Sequence, residues 1–294
     1  MTKLFLGDNQ FFGINHMSED KAMSQSMKFR DVQSIIDVLD DALDAGIDTL
    51  MCTTHERMSE VVENFKANPS RYADFKFIPC MPYAHKYANA VTEHGMLGAL
   101  KQYMPQNGLF DAALQGGKAL AGKDIEGVVR ILIDSELKAF AGVKTPVIML
   151  QNVVVDLLLG MGFNEAFRIF DAHVREHYDA VPGYITMNLP MLLERLDSLG
   201  IVNPVVCTNF NKAEFRVSGG VQAYKDALQK YPCQLMAMSV FASGAINPDE
   251  ALIWLRDNAE VDAIVFGASS ARNIRATKEL VDRLFENNEE NSVV

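Results

Sequence analysis

Eight short apolar runs, at positions 4–7, 49–52, 77–81, 147–151, 184–187, 205–208, 235–240 and 263–266, recur along the chain, and amphipathic helical patterns lie between them. Runs of this length are too short for buried helices and read as strands covered on both faces. The segment VQSIIDVLDDALDAG after the first run has apolar residues at three- and four-residue spacing and stops on Gly46, a helix-terminating residue. Eight strands each followed by a helix predict an α/β fold of the closed parallel (β/α)8 TIM-barrel type. In that architecture the working residues gather at the carboxyl ends of the strands.

A chain of 294 residues is what one such barrel needs with an insertion, so residues 1–294 are read as a single domain. The insertion is predicted at 83–123, between the third strand and its helix. It carries helical pieces and a Gly-rich stretch, GLFDAALQGGKALAG. Connections this long in compact domains usually serve function, and this one is read as a lid over the strand ends, with a packing element or dimer contact as the alternative.

Composition narrows the partners. A net charge of −11 lacks the clustered Lys and Arg that a phosphate backbone requires, so nucleic acid is not an expected partner. Nor is a membrane: no apolar run approaches the ~18 residues that span a bilayer, and the start, MTKLFLGDNQ, has no signal-peptide character. The four cysteines, at 52, 80, 207 and 233, are far apart and fit free thiols of a reducing, cytoplasmic compartment. A small-molecule substrate and a monomer or homodimer are expected.

Ordered along this framework are segments that resemble the aldo-keto reductase superfamily. LGDNQFFG is similar to that family's first strand and glycine turn. ALDAGIDTL with Ser59 and Glu60 resembles its "A…AGI…DTA…Y…SE" signature, and Asp134 to Leu137 resembles its "eeSL" helix. TMNLPMLLERLDSLG, SVFASGAI and GASSARNIRAT resemble the later "GVSNF…LEELL", "SPLASGLL" and "GASSxxxLxEN" segments. The resemblance implies a divergent member of an NAD(P)H-using barrel family with an Asp, Tyr, Lys and His tetrad. Mapped residue by residue, the Asp is Asp48, but the Tyr falls on Thr53 or Thr54, the Lys on Met81 or Pro82, and the His on Gln151. The cofactor pattern is eroded as well, with Ala276 and Thr277 where adenine would be gripped. NADP is therefore a possible rather than an implied cofactor. What persists is Asn188 and a small-residue phosphate seat of Ser243, Gly244, Ser269 and Ser270 beside Arg272.

Replacement chemistry is expected from the loops on the strands' carboxyl side. His16, His55 and His85 lie on three neighbouring loops, and imidazole suits proton transfer near neutral pH. His55 follows the lost Tyr and is expected to act as acid or base, oriented by Asp48, with His16, His85 and Gln151 nearby. A divalent metal held by Asp8, His16, His55 and Glu56 is a lesser alternative, and no metal site is predicted. The functional expectation is a barrel enzyme acting on a small carbonyl, sugar or phosphorylated metabolite. An NAD(P)H oxidoreductase with a relocated proton donor and a non-catalytic binding or scaffolding barrel are the alternatives.

Overall fold

A computed structural model describes residues 2–14, 18–83 and 123–285. Its eight strands are β1 (Lys3–Gly7), β2 (Thr49–Thr53), β3 (Lys76–Met81), β4 (Val147–Leu150), β5 (Val181–Thr186), β6 (Val205–Asn209), β7 (Gln234–Met238) and β8 (Ala263–Phe266). All neighbours pair in parallel, and β8 closes on β1 with Lys3 opposite Ala263 and Leu6 opposite Phe266. The predicted closed (β/α)8 barrel is the fold observed. The described helices are α1 (Glu19–Lys28), α2 (Val32–Asp44), α3 (Glu56–Ala67), α4 (Pro69–Tyr72), α5 (Lys123–Leu137), α6 (Asn152–Met161), α7 (Glu165–His177), α8 (Leu189–Ser198), α9 (Gly220–Lys230), α10 (Pro248–Asn258) and α11 (Ala271–Phe285). Most of the 83–123 insertion, including His85, lies outside the described residues, as does His16. None of the described helices is long and apolar enough to cross a membrane.

Period-two alternation divides each strand's side chains between two cores. Phe5, Met51, Ile78, Cys80, Met149, Ile185, Cys207 and Met236 fill the barrel interior. Leu6, Leu50, Cys52, Phe77, Ile148, Tyr184 and Val206 face outward against the helices. Where branched aliphatic residues dominate most barrel interiors, this one carries several sulfur side chains. Burial pushes the Cys207 thiol up to about 12, and Cys80, also close to Asp8, is raised well above its ordinary value. Both are therefore protonated core residues rather than nucleophiles.

Two elements escape the sequence pattern. Helix α6, NVVVDLLLGM, is apolar almost all round, so no amphipathic period marks it off from the strand before it. Strand β5 begins three residues earlier than expected, because Pro182 and Gly183 read as breakers yet hold ladder positions opposite Ile148 and Met149. Gly183 is required there by packing: a Cβ at this position would lie 2.2 Å from the Met149 sulfur.

The register also corrects one site expectation. Asp48 precedes β2 and so lies at the amino end of the barrel. Its carbonyl accepts from Lys76 N–H at 2.8 Å, and its carboxylate takes the Lys76 ammonium and the Thr49 hydroxyl. Partial burial would raise its pKa, but Lys76 and Thr49 together hold it below the usual carboxylate value. Seven residues of extended chain, about 20 Å at the rise of a strand, separate it from His55, so it cannot orient that ring.

Gly183→Ala is expected to lower stability by about 1–3 kcal/mol through overpacking of the barrel interior. Urea denaturation midpoints check this, and an unchanged midpoint contradicts the packing account.

Candidate active site

At the carboxyl end of β1 the chain turns through a single 3-10 turn, Asn9–Phe12, which ends on Gly13 at a φ of 65°. The turn brings Asp8, Gln10 and Phe12 to the rim beside the ends of β2 and β3. Asp8 is buried, and its Oδ2 accepts from both the backbone N–H and the hydroxyl of Thr53, each at 2.7 Å. Burial raises the Asp8 pKa, and the two Thr53 bonds only partly oppose it. A second buried carboxyl group, Glu136 near the end of α5, takes the Thr54 hydroxyl and the Tyr83 backbone N–H, the latter at 3.1 Å. Asp8 and Glu136 thus fasten the ends of β1, β2 and β3 to one another and to α5.

His55 sits between these anchors as the N-cap of α3, with Nδ1 accepting from Arg57 N–H at 3.0 Å. That bond assigns the proton of the neutral ring to Nε2. The ring stacks on Phe12 at 4.2 Å and meets Tyr83 edge-on at 5.0 Å between centroids. Arg57 lies over Phe12 and donates to the carbonyls of Phe29 and Phe11. Desolvation first, and the Arg57 charge second, lower the His55 pKa. The start of a helix adds a further bias toward the neutral ring. Tyr83 is shifted the other way: burial and the nearby Asp8 carboxylate raise its phenol pKa.

The other expected residues are dispersed. Gln151 is the N-cap residue of α6, half-buried, with its backbone N–H on the Met81 carbonyl at 2.8 Å. Asn188 caps α8 by accepting from Met191 N–H. Ser243 and Gly244 lie in a turn after β7 where Ser239, Ala242, Ser243 and Gly244 all have positive φ. This turn consumes its own amides: Gly244 N–H binds the Phe241 carbonyl and Ala245 N–H that of Ala242. It is less of an anion cradle than its composition promised. Ser270 caps the start of α11 through Asn273 N–H, the Ser269 carbonyl receives the Lys28 ammonium, and Arg272 is exposed beside them.

No group of three or more His, Cys, Asp or Glu side chains among the described residues is placed to hold a metal ion. His173 and His177 have the spacing of a metal pair, but their rings stack at 4.4 Å. His173 Nε2 is engaged with Asp134 at 2.7 Å and His177 Nδ1 with the His173 carbonyl at 3.2 Å. Sequence reasoning missed Tyr83, Glu136 and Lys28 as site residues. Tyr83 had a detectable signal, a phenol two residues beyond β3 and next to the position of the lost Lys, whereas nothing local marks Lys28.

No protein-family model and no curated protein matches the chain. Solved structures do. A thermostable aldo-keto reductase in complex with the inhibitor epalrestat aligns with 96% of this chain and 90% of its own, at 12% identity and a TM-score of 0.57. A Bacillus halodurans aldo-keto reductase in its holo form aligns over 95% and 86%, at 12% identity and TM-score 0.55. MGS-M4, an aldo-keto reductase from a Medee basin deep-sea metagenome library, aligns over 85% and 81%, at 13% identity and TM-score 0.55.

The raised pKa of Asp8 has a definite sign. The folded state binds its proton more tightly than the unfolded chain, so stability from this group is present below its ordinary value of 3.8 and is lost as pH rises through the folded-state value. Asp8→Asn is therefore expected to gain stability relative to the parent protein as pH rises from about 4 to about 8. Denaturation midpoints across that range check it, and a variant that instead loses stability relative to the parent as pH rises contradicts it.

The chain thus has an aldo-keto-reductase-like (β/α)8 barrel fold, at identities low enough that the likeness speaks for the fold alone.

Proposed function

We propose that this barrel is an enzyme of small-molecule metabolism acting on a polar carbonyl compound, with acid–base chemistry supplied by His55, Tyr83 and Asp8 at the ends of β1–β3. The observation that carries the reading is the His55 ring, with Nδ1 occupied by Arg57 N–H, placed between Phe12 and Tyr83, where burial and the Arg57 charge lower its pKa. An imidazole fixed this way offers Nε2–H to a carbonyl oxygen and polarises it without first gaining a proton. Tyr83 is the second donor, because burial first and Asp8 second disfavour its phenolate. Asp8, buried at the end of β1 with its Oδ2 on Thr53 and close enough to raise the Tyr83 pKa, is assigned the role of taking up or returning a proton near this pair. The solved structures that share this fold are named as aldo-keto reductases, and carbonyl chemistry is the reaction class proposed by analogy with them.

Fit to a nicotinamide cofactor is divided. The start of α11, with Lys28 at the Ser269 carbonyl and Arg272 alongside, fits a phosphate. The turns after β5 and β6 do not fit a nicotinamide amide. Asn188 Oδ1 is taken by the α8 cap, Asn209 Nδ2 by the Arg216 carbonyl, and both ends of the Asn211 amide by Phe215. The start of α11 is therefore better matched to a phosphate-bearing substrate than to that cofactor. NADPH fluorescence titration tests this reading. A fixed site weakened by Lys28→Ala would favour the relocated-donor oxidoreductase, and silence at millimolar cofactor would favour a phosphorylated substrate.

With small hydroxylated aldehydes and ketones, assayed with and without NADPH, His55→Ala is expected to lower kcat/KM about 100-fold and Tyr83→Phe by a smaller factor. Asp48→Asn is expected to leave turnover unchanged. Turnover indifferent to His55 contradicts the assignment.

A further inference from the structure

We infer that Gln10 is a specificity-determining residue that selects substrates carrying a hydroxyl or N–H donor next to the carbonyl. Its side chain is 3% exposed and folds back into the upper end of the barrel, where Nε2 donates to the Gly7 carbonyl at 2.6 Å. That bond fixes the amide's orientation, because the flipped amide would set two acceptor oxygens against each other. Oε1 is then a buried acceptor that no donor among the described residues reaches.

The surroundings indicate where such a donor enters. Ala263 and Val265 of β8 belong to the barrel interior, and Gly267 continues their inward series. A Cβ at Gly267 would lie 3.0 Å from Gln10 Oε1, so this glycine leaves the space that the amide borders. Gly267 is exposed and Val265 half-buried, so a ligand can approach here from the rim. The amide oxygen therefore lies buried just beneath the exposed Gly267 backbone at the rim, two positions along the chain from both Asp8 and Phe12, whose ring stacks on His55. Leaving a buried carbonyl oxygen without a donor is costly. A site built to receive a hydroxyl discriminates strongly against an analogue that lacks one. The matching substrate class is the α-hydroxy or α-amino carbonyl compounds. The inference rests on the carbonyl reading of the His55 site proposed above.

Hydroxyacetone and butanone differ by a hydroxyl in place of a methyl group and form the discriminating pair. Ligand-observed NMR titration of the full-length protein is expected to show hydroxyacetone binding about tenfold or more tightly than butanone. Gln10→Leu should erase that preference without weakening butanone. Gly267→Ala, which leaves Gln10 in place but fills the space beside it, should erase it as well, and thermal midpoints verify that both variants fold. Equal affinities in the parent protein, no binding of hydroxyacetone, or a preference that survives both variants overturns the inference. His55→Ala separates the two readings. If it leaves both affinities unchanged while the hydroxyl preference persists, the carbonyl reading fails and Gln10 stands. If binding depends on His55 but shows no hydroxyl preference, only the Gln10 inference fails.

Discussion

The ladder between β8 and β1 is the contact on which the site depends. It joins the two ends of the described chain, Lys3 to Leu6 against Ala263 to Phe266, and so sets residues 8–12 between the ends of β8 and β2. Because every strand pairs in parallel, all eight carboxyl ends open on the same rim. Asp8, His55 and Tyr83, spread over 75 positions of sequence, become neighbours for this reason. Lys28 meets Ser269 across the same seam.

Buried carboxyl groups then fix the rim in detail. A carboxylate withdrawn from water needs hydrogen-bond donors to be tolerated. Asp8 finds them in Thr53, and Glu136 in Thr54 and Tyr83. The Glu136 bonds tie down Thr54, which adjoins His55, and Tyr83, which contacts its ring, so an anchor that solves a solvation problem also holds the imidazole. The Phe12 and Tyr83 rings supply the apolar walls that keep it neutral. Structure and chemistry at this end of the barrel therefore have a common cause.

Much of the fold was legible, because eight apolar runs separated by helical periods admit few other arrangements. The site was legible only in part. His55 could be placed on the rim because it follows the β2 run directly. Asp48 was assigned to the site on its likeness to a family pattern, although the apolar run beginning at position 49, where β2 does start, already put it at the amino end. Tyr83 and Glu136 were missed because their roles arise from contacts between segments fifty residues apart, which no local pattern encodes. Ser243 and Gly244 have the composition of an anion cradle, yet the hydrogen bonds within their turn leave few amides to offer. His16 and His85 lie outside the described residues.

Nitrogen NMR of the His55 ring during titration with a small carbonyl ligand tests the central claim most directly. The account predicts a neutral Nε2–H tautomer in the free protein and a saturable shift of Nε2, with Nδ1 unmoved, as the ligand binds. An Nδ1–H tautomer, or ligand binding that leaves both ring nitrogens unchanged, would contradict it.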